Sequence, residues 1–111
     1  MVKTVVIYRT RDLKEPFIQW LLSLKDVTTQ YRIQTRIRRI ESGNYGDHKR
    51  FRGLIEIRFD FGKGYRLFCA EDGPNLVILL VGGDKSTQGK DISKALEYLE
   101  DYHEQKKIKD I

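Results

Sequence analysis

The spacing of hydrophobic positions changes several times along the chain, and each change predicts a different element. Residues 3–9 are rich in β-branched and aromatic side chains and predict a first strand. Asp12 and Glu15 then supply an Asp-x-x-Glu helix start, and Pro16 suits a first turn whose amides lack partners anyway. Phe17, Trp20, Leu21 and Leu24 follow at helical spacing, with a break at Lys25-Asp26. A second helix is predicted from about Thr28 to Ser42, with Ile33, Ile37 and Ile40 on its inner stripe and Gly43 as its C-terminal cap. Beyond the turn chemistry of Gly43-Asn44-Tyr45-Gly46-Asp47, strands are predicted at 54–60, 65–71 and 75–84, with Asp72-Gly73 marking the second turn. A last helix from about Gln88 to Tyr102 buries Ile92, Ala95, Leu96 and Leu99, and residues 103–111 are expected to fray.

The order β-α-α-β-β-β-α predicts an α+β fold: an N-terminal helical hairpin and a C-terminal helix on a small, mostly antiparallel sheet. At 111 residues the chain suits one domain, 1–111, with no room for a second. Charge is unevenly spread. Up to Arg66 there are 15 basic and 7 acidic residues, a net +8, whereas the remainder has 6 and 9, a net −3. The cationic first two-thirds either seeks a polyanion or serves only as a solubilising surface. No apolar stretch approaches the ~20 residues of a spanning helix, and the run near the N-terminus is too short for a signal peptide, so a cytoplasmic protein with no membrane partner is expected. Cys69 is the only cysteine, which excludes an internal disulfide and a cysteine-based metal site and leaves it as an inert strand residue. With no Walker loop, dinucleotide fingerprint or zinc-ligand spacing, no metal or cofactor is expected.

Fixed charges on strands carry the candidate chemistry. Leu54-Ile55-Glu56-Ile57-Arg58 alternates, which places Glu56 and Arg58 on one face. An odd number of residues in the loop between the central strands sets Arg58 across from Arg66. Two opposed guanidinium groups repel unless an anion lies between them: either Glu56 neutralises them or a ligand does. The apolar run Leu76 to Val81 leads into Gly82-Gly83-Asp84-Lys85 and mounts Lys85 at one edge, where it is either a site cation or a strand terminator. Arginine's planar fork suits the oxygens of a phosphodiester undergoing attack by a 2′-hydroxyl. In that chemistry Glu56 or His48 would act as base, and Lys85 would stabilise charge or supply the proton. Arg32, Arg36 and Arg39 align along the second helix with Arg38 beside them, as a solvated face or a phosphate-binding ridge. His48, Lys49, Arg50 and Arg52, with Phe51 among them, form a loop cluster suited to backbone phosphates.

Taken together these residues resemble the RelE/ParE superfamily of toxins from type II toxin-antitoxin modules, in particular its phage-type addiction module killer branch. The resemblance runs through Trp20-Leu21, Leu24-Lys25-Asp26, Gly43 to Asp47, Gly53 to Arg58, Gly64-Tyr65-Arg66, Leu79-Leu80, Gly82 to Gln88, and Asp91-Ile92 with Ala95. It implies a RelE-like fold and a toxin neutralised by a small helix-turn-helix antitoxin. RelE-like members cut mRNA on the ribosome, which would make this chain a metal-independent endoribonuclease with ribosome and mRNA as partners. The resemblance places Arg58, Arg66 and Lys85 at basic site positions and Glu56 at an acidic one. The chain departs from that pattern in having no aromatic or histidine clearly placed as general acid, since Tyr102 and His103 end the last predicted helix. Two alternatives remain open: a ParE-like gyrase inhibitor acting through the hairpin of residues 12–42, and a non-toxic nucleic-acid-binding regulator using the arginine ridge.

Overall fold

Five strands share one sheet in the computed structural model, which describes residues 2–109. In chain order the elements are β1 (Thr4–Ile7), α1 (Pro16–Ser23), α2 (Val27–Glu41), β2 (His48–Phe51), β3 (Leu54–Arg58), β4 (Arg66–Glu71), β5 (Leu76–Gly83), a 3-10 turn at Lys85–Thr87, and α3 (Gln88–Lys109). The sheet order is β1-β5-β4-β3-β2, antiparallel except where β1 runs beside β5. The fold is α+β, as the alternation of patterns predicts.

Strand alternation sends side chains to two separate cores. Ile55, Ile57, Leu67, Cys69, Val77 and Leu79 face Phe17 and Leu21 of α1 and Ile33 and Ile40 of α2. Leu54, Phe68, Ala70, Ile78 and Leu80 face α3, which meets them with Ala95, Ile92, Leu96 and Leu99. A bulge between β4 and β5 adds one residue: Phe68 pairs with Val81, yet Cys69 pairs with Leu79. Leu80 and Val81 therefore both turn towards α3. Beyond the bulge, Gly82 lies under Trp20 of α1 and Gly83 under Asp91 of α3.

Several boundaries differ from those expected. The first helix starts at Pro16, because residues 10–14 close their own turn: Leu13 N–H donates to Thr10 O, Thr10 N–H to Lys14 O, and the Thr10 hydroxyl holds Asp12. Asp26 caps α2 by accepting from Thr28 N–H at 3.0 Å, so the break between the helices is also a helix start. A packed helical hairpin over 12–42 is not evident; α1 is seated on β5 and α2 against β1. The stretch His48–Phe51, expected as a loop, is an edge strand. It joins β3 through Arg52 and Gly53, whose φ angles of 52° and 83° make a two-residue turn of the kind that suits right-twisted strands. Residues 103–109 continue α3 instead of fraying, while 110–111 lie outside the described residues. Three bonds tether that end: Tyr8 Oη donates to Asp101 at 2.5 Å, Tyr102 Oη to Asp72 at 2.8 Å, and Gln105 Nε2 to Arg9 O at 3.0 Å. No described helix is long and apolar enough to cross a membrane.

Candidate functional site

The register of three strands assembles the candidate site. Arg58 on β3 lies directly across from Arg66 on β4, which in turn pairs with Gly83 on β5. Glu56, two residues before Arg58, points to the same face and is 1% exposed. Its Oε2 lies 2.8 Å from Arg66 Nε, but the Nε–H is not aimed at it, so the contact is an ion pair without a hydrogen bond. That oxygen accepts instead from Gln88 Nε2 at 2.7 Å, at the first residue of α3. The Arg66 side chain keeps 16% of its surface in water, and its Nη1 donates to Gly64 O at 3.3 Å.

Arg58 has no such match. Its Nε is buried without a hydrogen-bond partner, and among the described residues no hydrogen bond or ion pair reaches its guanidinium. A buried donor left unpaired is costly, and the residue as a whole is only half-buried. Lys85 stands beside Arg66. A Cβ built on Gly64 would lie 3.3 Å from Lys85 Cβ and 3.9 Å from Arg66 Nη1, so the lysine stem and the guanidinium flank the same glycine. Thus strand register sets Arg58 beside Arg66, Glu56 engages Arg66, and the Lys85 stem adjoins the Arg66 guanidinium. Arg58 is a guanidinium without a carboxylate partner in a cluster partly open to water, an electrostatic condition for holding an anion.

The other predicted residues divide between the two faces of the sheet. Lys49 pairs across from Glu56 and joins the Arg58 face. His48 pairs with Ile57 and Arg50 with Ile55, so both lie on the opposite face, which removes His48 as a base for chemistry at Arg58. His48 contacts Tyr45, and Arg50 donates to Glu71 at 2.8 Å. Arg52 is exposed in the tight turn. Burial also argues against Glu56 as base, since an incoming hydroxyl cannot reach a carboxylate closed in by Gln88 and Arg66. The arginine ridge loses its middle member: Arg36 donates to the carbonyls of Tyr45, Asp47 and Arg58, at 2.8 to 3.2 Å, and buttresses the backbone instead of facing solvent. Burial lowers its pKa, with Asp47 pulling the other way. Arg32 and Arg39 remain exposed on α2, on the face away from Arg66. Tyr102 and His103 lie towards the other end of β4, where Asp72 holds the Tyr102 hydroxyl and raises its pKa to about 12, after a larger effect of burial.

Sequence reading missed Gln88 as a contributor, and placed Lys49 in a loop without its face. Gln88 sits in the Gly82 to Gln88 motif, but only folding brings it to Glu56, 32 residues earlier. The face of Lys49 follows once residues 48–51 are seen as a strand, and the available signal was Gly53 closing a two-residue turn. Among the described residues no group of His, Cys, Asp and Glu could hold a metal ion.

No protein-family model matches the chain, and no solved structure does. An uncharacterized protein of Haemophilus influenzae is 48% identical over 80 residues, which span 71% of this chain and 81% of that protein. Identity at that level over most of both chains means a shared fold and common descent, and the chain belongs to the family of this Haemophilus influenzae protein.

Proposed function

We propose that the protein is the toxin of a type II toxin-antitoxin module: a cytoplasmic, RelE-like endoribonuclease that cuts mRNA on the ribosome and is neutralised by a helix-turn-helix antitoxin. The observation that carries this reading is the unmatched guanidinium of Arg58 facing Arg66, with Lys85 at their side. Glu56 pairs with one of the three cations, a phosphodiester would balance a second, and the additional charge of its transition state the third. The element order supports a RelE-like arrangement once the edge strand β2 is allowed as an addition to it.

In the proposed reaction the 2′-oxygen attacks the adjacent phosphorus, a P–O2′ bond forms and the P–O5′ bond breaks. The products are a 2′,3′-cyclic phosphate and a 5′-hydroxyl. Arg58 and Arg66 hold the non-bridging oxygens, where charge accumulates in the transition state, and their positions are fixed by strand register before substrate arrives. Glu56 and Gln88 position Arg66. Lys85 gives its proton to the departing 5′-oxygen, and the 2′-hydroxyl proton passes to water.

The test is to incubate the purified protein with translating ribosomes and map mRNA ends by primer extension. Cleavage is expected within the ribosome-bound codon. Arg66→Ala should abolish it by at least 100-fold, in line with loss of a transition-state donor, while the variant keeps its circular dichroism spectrum and antitoxin binding. Intact mRNA at stoichiometric protein would overturn the reading. DNA breaks preceding any loss of protein synthesis would point to gyrase instead.

A further inference from the structure

On the face of the sheet away from Arg66, a cavity of about 690 Å³ opens between α2 and the β3–β4 loop. That is within the range, roughly 300–1,000 Å³, that receives small ligands. Its floor is aromatic. Phe59 is buried, Phe61 meets it edge-on with ring centres 5.7 Å apart, and the Arg32 guanidinium lies over Phe61, 3.8 Å from the ring centre. Tyr31, which also lines the cavity, is 54% exposed. Three arginines and one aspartate, Asp60, line the cavity. Of these arginines, Arg36 is committed to backbone carbonyls, which leaves Arg32 and Arg39 free to meet an anion.

The cavity and the Arg58 site share a wall. Arg36 Nη1 donates to the Arg58 carbonyl at 2.9 Å, so the strand end that presents the Arg58 side chain to one face is anchored by a residue lining the cavity on the other. Between them lies the β3–β4 loop, with Lys63 exposed on it.

We infer that this cavity binds an unpaired nucleotide, its base stacked against Tyr31 and the Arg32–Phe61 pair and its phosphate at Arg32 and Arg39. Every base has a π-face, and rings interleaved with guanidinium groups form a stacking platform that tolerates sequence. An amphipathic helix would need a longer aliphatic groove with anchors on successive turns, and here the floor is two rings. Nucleotide binding stands on the cavity alone. That the nucleotide belongs to the strand cut at Arg58 rests on the nuclease reading.

The experiment titrates isotopically labelled protein with AMP, GMP, CMP and UMP, and with inorganic phosphate, by NMR. It then measures a fluorescent single-stranded heptamer, 2′-deoxy throughout to prevent cleavage, by anisotropy. Mononucleotides are expected to shift amides of α2 and of residues 59–61, and phosphate alone to shift those amides far less. Tyr31→Ala and Arg32→Ala should each weaken binding by about tenfold, and Arg32→Lys, a gentler change, should also weaken it. Arg66→Ala should weaken the heptamer. Equal affinities in all cavity variants, or a response only to an acidic helical peptide, would overturn the inference. A heptamer indifferent to Arg66→Ala would overturn the shared strand. Intact mRNA beside normal nucleotide binding would remove the nuclease reading and leave this site standing.

Discussion

At the scale of single residues, strand register sets Arg58 directly across from Arg66, an opposition that alternation allowed only for a loop of odd length. The inward turn of Arg36 had no such signal. Its partners lie 9, 11 and 22 residues away, and no helical pattern encodes that a ridge arginine will turn inward to satisfy loop carbonyls. Glu56 shows how the same residue type carries either of two readings until burial decides between them. Truncating one member of a buried ion pair strands the other, and Arg66 is mostly but not wholly buried. Glu56→Gln should therefore cost about 2–3 kcal/mol in urea denaturation. Exchanging chloride for phosphate at equal ionic strength should restore part of that loss, since an anion bound only by the folded state stabilises it. Destabilisation indifferent to phosphate would show that no anion can replace the carboxylate.

At the scale of elements, strands with apolar alternation and helices with clear stripes were readable, whereas β2 was hidden because an edge strand facing water carries charge in place of a hydrophobic pattern. The start of α1 was misread for a related reason: Asp12 has the right spacing for a capping motif, but its carboxylate accepts from the Thr10 hydroxyl in a turn of its own. The end of β5 was clearer. Its two glycines mark where helices press on the strand, Trp20 from one side and Asp91 from the other. A methyl at Gly82 would fall 2.2 Å from the Trp20 ring. Gly82→Ala should thus destabilise the protein by about 2–3 kcal/mol through overpacking and shift tryptophan emission as α1 is pushed outward. Unchanged emission and stability would mean the helix is not seated there.

At the scale of the whole molecule, Glu71 ties distant segments together at the end of β4. Its carboxylate accepts from Tyr45 Oη at 2.6 Å and from Arg50 at 2.8 Å, and Lys3 lies 3.8 Å away. The hydrogen bond from Arg50, then that from Tyr45, lowers its pKa from 4.5 to about 2. Because the folded value lies below the unfolded one, this stabilisation is complete above about pH 4.5 and is lost as pH falls towards 2, with about 2 kcal/mol at stake after allowing for partial exposure. Glu71→Gln should lose that amount at neutral pH and flatten the acid limb of a urea-midpoint profile. An unaltered acid limb would relocate the acid sensitivity elsewhere. The parallel pairing of β1 with β5 bears on biosynthesis. The first strand made finds its neighbour only when the last strand has been translated, so β1 must wait while the β3–β4 hairpin closes on local contacts. A chain ending before residue 76 carries both arginines of that hairpin, but lacks the lysine beside them and the berth for its own beginning.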